Sequence, residues 1–86
     1  MLVVVFWQRF DPEQFEFEFD VIELAAHNIT SDEAVEVIWN GFDVYRNKKH
    51  HGGYQLIGRT DAGRNLKLIV YEKRKGLIRV KTGWDL

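Results

Sequence analysis

The second half of the chain alternates short strand-like segments with brief polar turns, and this pattern constrains the fold more than any other feature. The segments are rich in β-branched, aromatic and leucine side chains, and Gly, Asp and Asn stand between them. The pattern predicts four strands, over residues 42–46, 54–59, 66–72 and 77–82. Because the connecting loops are short, we expect successive strands to pair as antiparallel neighbours.

The first half begins with two further strand-like segments. Residues 2–7 (LVVVFW) are apolar and rich in β-branched and aromatic side chains, which is typical of a buried strand. Residues 15–20 (FEFEFD) alternate phenylalanine with an acidic residue at every step. Because successive side chains of a strand point to opposite faces, the alternation predicts three rings on one face and three carboxylates on the other.

Two helix-start signals follow. Asp20, with a glutamate three residues later, predicts a short helix through about Ala26. Thr30 and Glu33 have the spacing of a capping box, and an Asn-Gly pair supplies a stop, so a second helix is predicted over residues 31–39. The apolar stripe of this second helix is expected to comprise Ala34, Val35, Ile38 and Trp39.

The predicted order is therefore β-β-α-α-β-β-β-β, an α+β fold with two short helices packed on an antiparallel sheet. The 86 residues fit a single domain, residues 1–86, with one core. The absence of cysteine excludes a disulfide scaffold, a thiol nucleophile and any Cys-ligated metal. No apolar run approaches the roughly 20 residues of a membrane span, so we expect a cytoplasmic protein that does not bind a membrane.

The net charge of −1 conceals a strong polarity along the chain. Residues 1–43 carry ten acidic side chains and one basic one, whereas residues 44–86 carry eleven basic and three acidic ones. A segregation of this kind indicates a surface that binds polyanions. The alternative is that the two halves fold on each other and neutralise their charges.

Strand periodicity sorts the basic side chains of the second half. If the helices cover the face that carries Leu66 and Ile78, the opposite face collects cations and an aromatic ring. That face is expected to present Lys67, Tyr71, Arg79 and Lys81, with Arg59 or Arg64 at the hairpin end. Such a face could hold a phosphodiester backbone, because guanidinium groups bind phosphate oxygens in pairs and a ring can stack on a base. The alternative is that these charges only keep an exposed sheet soluble.

Histidine and tryptophan positions give weaker signals. His50 and His51 are adjacent on a loop, where their side chains point apart, and no metal-binding motif is present, so we expect no metal and no cofactor. Trp7 and Trp39 are expected in the core. Trp84 is expected to close the core, with a role as a stacking platform as the alternative.

Several short motifs resemble the BrnT-type toxins of the RelE-like ribonuclease superfamily. They are residues 17–20 (FEFD), 27–29 (HNI), 33–34 (EA), 57–60 (IGRT), 63–64 (GR), 70–71 (VY) and 78–80 (IRV), and the match covers residues 17–84. The resemblance implies a RelE-like α+β domain that cleaves RNA during translation and is neutralised by a cognate antitoxin. The strand-like residues 2–7 and the lack of the toxins' basic C-terminal helix indicate a diverged relative.

Metal-free RNA cleavage needs a base, a cation beside the phosphate and an acid for the leaving oxygen. Arg79 and Lys81 are the candidate phosphate clamps, with Arg64 or Arg59 as a second clamp. Tyr71 or a loop histidine is the candidate proton carrier, and Lys67 is a further RNA-binding candidate. The resemblance also includes His27, for which capping of the turn between the helices is the alternative role.

Three functional hypotheses follow. The first is a toxin-like endoribonuclease. The second is a non-catalytic interaction domain that forms a homodimer or binds a basic, antitoxin-like protein through Glu16, Glu18 and Asp20. The third is nucleic-acid binding without catalysis, which a steep salt dependence of affinity would reveal.

Overall fold

The computed structural model describes residues 10–47 and 53–86. The predicted strand at residues 2–7, Trp7, and the loop histidines His50 and His51 lie outside the described residues. The helices and strands are β1 (Glu16–Phe19), α1 (Val21–Ala26), α2 (Ser31–Asn40), β2 (Phe42–Arg46), β3 (Gly53–Arg59), β4 (Asn65–Arg74) and β5 (Leu77–Asp85), after a short 3-10 turn at Pro12–Gln14. The fold is α+β, as predicted.

The five strands form one mixed sheet in the order β1-β5-β4-β3-β2. Strands β2 to β5 make the predicted antiparallel meander, but β1 pairs with β5 in parallel, from Glu16 opposite Leu77 to Phe19 opposite Val80. The expectation of a wholly antiparallel sheet is therefore wrong. Short loops dictate the direction of neighbouring strands only, whereas two helices and three strands separate β1 from its partner.

Both helices begin at the predicted caps. The Asp20 carboxylate accepts the Glu23 backbone N–H at 3.1 Å and starts α1. Thr30 and Glu33 form the reciprocal capping box of α2. The second helix ends where Gly41 adopts a φ of 93°, a conformation that favours glycine. Local sequence chemistry thus fixes both helices to within one residue of the prediction.

The buried stripe of α2 differs from the prediction. Ala34, Val37 and Ile38 are buried, while Val35 is 37% and Trp39 is 53% exposed. The placement of Trp39 in the core is therefore wrong. The buried residues follow the i, i+3, i+4 spacing of one helix face, and the sheet covers only that face, so Val35 and Trp39 face outward.

The core lies between the two helices and one face of the sheet. Leu24 of α1 and Val37 of α2 pack with Leu56, Leu68 and Val80 of the central strands. The three phenylalanines of the FEFEFD segment all pack against this core, as the alternation predicts: Phe15, Phe17 and Phe19. We call the opposite face of the sheet the open face, because neither helix packs on it.

A β-bulge in β5 changes the side of the sheet to which the side chains after Val80 point. Ile69 lies opposite Thr82 but Val70 lies opposite Val80, so Lys81 is the extra residue. Thr82 and Trp84 consequently move to the open face, since a one-residue shift exchanges the two faces. The expectation that Trp84 closes the core is wrong, and its side chain is 37% exposed.

No helix among the described residues is long and apolar enough to span a membrane.

Candidate nucleic-acid interface

The open face contains a hollow of about 760 Å³, which we call the open-face hollow. It is lined by Tyr45, Arg46, Asn47, Gln55, Ile57, Lys67, Ile69, Lys81, Thr82 and Trp84. These side chains come from all four antiparallel strands and from the residue after β2. The hollow is therefore a product of the meander and lies away from the helices.

Strand register explains how the hollow is built. One row across the sheet runs Tyr45, Gln55, Ile69, Thr82, and the next runs Asp43, Ile57, Lys67, Trp84. The Asp43 carboxylate ends the second row at the edge strand and is not part of the hollow lining. The two isoleucines form an apolar floor in the middle of these rows. Tyr45 on the edge strand and Trp84 on the far strand stand at opposite ends, so an aromatic ring flanks the floor on each side.

The charge of the hollow is positive. Its lining residues include Arg46, Lys67 and Lys81, and none of the described residues that line it is acidic. The register places Arg46 in the row of Val70, which faces the core, so the two lysines supply the side-chain cations of the open face. Neither lysine forms an ion pair with any residue in the described part of the chain. The Lys67 ammonium lies 5.7 Å from the centre of the Trp84 ring, which holds cation and ring side by side.

Arg79 lies beside the hollow, with its charge engaged by β1. Its guanidinium pairs with Glu18 and bonds Asp20 at 3.0 Å, and Lys73 also pairs with Glu18. Tyr71 lies opposite Arg79 in the register and is half-buried. At these positions the two halves of the chain do neutralise each other.

Arg64 lies in the β3–β4 turn and points to the helical side. It donates hydrogen bonds to Glu33, Asp85 and the carbonyl of Asn28, the last at 2.7 Å. The Thr30 backbone N–H and then Arg64 hold the pKa of Glu33 below its usual value, and Arg64 likewise lowers the pKa of Asp85. These two carboxylates in turn raise the pKa of Arg64. The guanidinium thus connects the turn between the helices, α2 and the end of β5.

The remaining predicted site residues, Arg59 and His27, lie outside the open-face hollow. Arg59 ends β3 and bonds the side chain of Asn65 at 3.0 Å. His27 caps the C-terminus of α1, in keeping with the structural alternative, and its ring centre lies 6.1 Å from that of Trp84. Of the predicted site residues, the structure brings only Lys67 and Lys81 into the hollow.

Sequence reasoning missed several lining residues. Tyr45 and Gln55 lie on strands that were predicted correctly, and their alternation could have placed them on the open face. Thr82 could not be placed, because no local signal revealed the bulge at Lys81. Trp84 was expected in the core for the same reason, and its place on the open face is the one that the alternative, a stacking platform, requires.

Comparisons of the chain with protein-family models, with curated proteins and with solved structures found no match. Across residues 10–47 and 53–86, no group of three or more histidine and carboxylate side chains could hold a metal ion.

Proposed function

We propose that this domain binds single-stranded RNA in the open-face hollow and acts on it as a toxin-like, metal-independent endoribonuclease. The observation that carries the proposal is the chemistry of the hollow, which combines cations without ion pairs, two aromatic rings and no carboxylate. The chain as a whole has a net charge of −1, so this positive surface is a local feature of the sheet.

A single strand suits this surface better than a duplex. Its unpaired bases can stack on exposed rings, while ammonium and guanidinium groups hold the phosphates. Trp84 and Tyr45 supply rings on the two sides of an apolar floor. Lys67 and Lys81 supply the nearest cations, and both are free to bind phosphate because neither has a carboxylate partner among the described residues.

The proposed cleavage reaction uses the same two lysines that hold the phosphates. The 2′-oxygen attacks the adjacent phosphorus, the bond to the 5′-oxygen breaks, and the products are a 2′,3′-cyclic phosphate and a 5′-hydroxyl. Lys67 and Lys81 would stabilise the charge that develops on the phosphate oxygens. Tyr71, on the same face, is the candidate that transfers a proton between the two oxygens.

One observation favours the alternative of RNA binding without catalysis. Arg79, one of the two candidate phosphate clamps, and Arg64, a candidate second clamp, are both engaged by carboxylates within the fold. In that alternative the chain keeps the RNA-binding face and has no ribonuclease activity. Both forms of the proposal use the same RNA-binding surface, and they differ only in whether the bound RNA is cleaved.

Fluorescence anisotropy with a labelled 12-nucleotide single-stranded RNA tests the binding. The double variant Lys67→Gln/Lys81→Gln should bind at least tenfold more weakly than the unmodified protein. The matched control, Arg74→Gln/Lys75→Gln, removes two charges at the β4–β5 end and should bind within twofold of it. Equal losses in both double variants would show that the hollow is not the binding surface.

The same RNA, incubated with the protein in EDTA, tests the cleavage. The endoribonuclease form predicts fragments that end in a 2′,3′-cyclic phosphate, and fewer of them with Tyr71→Phe. Intact RNA in the presence of protein that binds it would contradict the endoribonuclease and leave the non-catalytic form.

A further inference from the structure

The hydroxyl group of Thr82 is the one buried side-chain polar atom among the described residues that has no hydrogen-bond partner. Native folds rarely leave such a group unsatisfied, and the exceptions often have a ligand or a functional role. Thr82 also lines the open-face hollow. The unsatisfied group is therefore next to the surface proposed to hold RNA.

The bulge and the register determine what surrounds this hydroxyl. If Lys81 were paired in regular alternation instead of bulged, Thr82 would face the helical layer together with Val80. On the open face it shares a row with Ile69 and Gln55, which lies two strands away. Two strand spacings amount to about 10 Å, so a planar base can lie over Ile69 between the two polar side chains. Trp84 is two residues along the same strand.

We propose that Thr82 and Gln55 form a base-recognition subsite for one unpaired nucleobase of the bound RNA. This inference rests on the proposed function. The Thr82 hydroxyl both donates and accepts a hydrogen bond, as does the Gln55 amide, so together they can match the polar edge of a base. The Ile69 side chain forms the apolar floor beneath it.

A rotation about χ1 of Thr82 would give a base access to the hydroxyl. A rotation of about 120° moves the oxygen out of its buried position and into the position that the methyl group or the Cβ hydrogen now occupies. A base edge then forms the hydrogen bond that the Thr82 hydroxyl lacks within the fold. A base without a complementary edge gains no such bond, and this difference produces selectivity.

Affinities for the homopolymers rA10, rU10 and rC10 test the subsite, with anisotropy as the readout. The unmodified protein should prefer one of them by about tenfold. Thr82→Val keeps the shape and removes the hydroxyl, so it should reduce the preference to less than threefold. Thr82→Ser keeps the hydroxyl and should keep the preference, and Gln55→Leu should lose it. Thermal unfolding checks that each variant is folded.

The failures of the two proposals are distinguishable. If the unmodified protein binds all three homopolymers equally well, or if Thr82→Val keeps the preference, the subsite is contradicted and RNA binding stands. If none of the homopolymers binds, the proposed function itself is contradicted.

Discussion

Gly83 occupies a position in β5 that has no space for a side chain. A Cβ atom at this residue would lie 2.7 Å from the Lys67 carbonyl oxygen and 2.8 Å from a methyl group of Leu68. Both distances are too short, and the first involves backbone that cannot move without disturbing the β4–β5 pairing. The glycine is therefore required by the same bulge that turns its two neighbours to the open face.

We predict that Gly83→Ala lowers the free energy of unfolding by about 2 kcal/mol, the usual cost of overpacking. Urea unfolding followed by circular dichroism measures the change. Gly63→Ala is not a suitable control, because Gly63 has a φ of 88°, which an alanine would strain. The control is Ala62→Gly in the exposed β3–β4 turn. This substitution should change the free energy of unfolding by less than Gly83→Ala does. A stable Gly83→Ala protein would mean that the register at this end of the sheet is different.

The ion pairs and hydrogen bonds of Arg64 connect three parts of the fold: α2, the turn between the helices and the end of β5. We predict that Arg64→Gln lowers the free energy of unfolding by about 1 kcal/mol at pH 7, a value kept small because the side chain is a quarter exposed. The control is Arg59→Gln, which removes a charge at the other end of the same hairpin turn. Equal effects of the two substitutions would contradict the role of Arg64.

The same ion pairs predict a dependence on pH. Glu33 and Asp85 have lowered pKa values in the folded protein, so their contribution to stability is complete above their usual values and is lost as the pH falls through the lowered ones. The stability difference between the unmodified protein and Arg64→Gln should therefore shrink as the pH falls from 7 to 3. Urea unfolding across this range measures it. A constant difference would show that carboxylate pairing is not the cause.

Most elements were predictable because their signals are local. The caps at Asp20 and Thr30 fix the helices, and the alternation from Phe15 to Asp20 fixes the faces of β1. The signals that failed depend on distant partners. No residue near β1 indicates that it pairs with β5 in parallel, and the side of Trp84 depends on a bulge that becomes visible only through the β4 register.

In the candidate site, too, the features that depend on local sequence were predictable and those that depend on distant partners were not. Periodicity placed Lys67 and Lys81 on the uncovered face, and the structure agrees. A basic side chain is available to a ligand only if no carboxylate of the protein pairs with it, and strand periodicity does not reveal such pairs. Arg79 is on the predicted face but is engaged by Glu18 of β1 and by Asp20 at the start of α1, and Arg64 is engaged on the helical side.

For the molecule as a whole, folding neutralises part of the charge polarity and leaves carboxylates in the helical layer and at the edges of the open face. Residues 10–45 contain no lysine or arginine, and both helices lie within them. The open-face hollow holds Lys67 and Lys81 on the other side of the sheet, while Glu18 and Asp43 lie on the edge strands of the same face. An approaching polyanion would therefore be attracted to the middle of the open face rather than to its edges.

This arrangement predicts a modest salt dependence of RNA binding. Two phosphate contacts on a single strand, one from each lysine, correspond to a slope of about −1.4 in a plot of log affinity against log salt. Lys67→Gln should reduce the magnitude of this slope by about 0.7, the value for one contact. Anisotropy titrations between 50 and about 300 mM salt measure it. An unchanged slope in Lys67→Gln would exclude this lysine from phosphate binding.

The central claim is that RNA binds to the open face, and two tryptophans on opposite sides of the molecule test it directly. Trp84 lies in the hollow, whereas Trp39 is exposed on α2. In an NMR titration with single-stranded RNA, with Trp84→Phe and Trp39→Phe used for assignment, the indole N–H signal of Trp84 should shift and saturate while that of Trp39 stays constant. A shift of the Trp39 signal with an unchanged Trp84 signal would contradict the account.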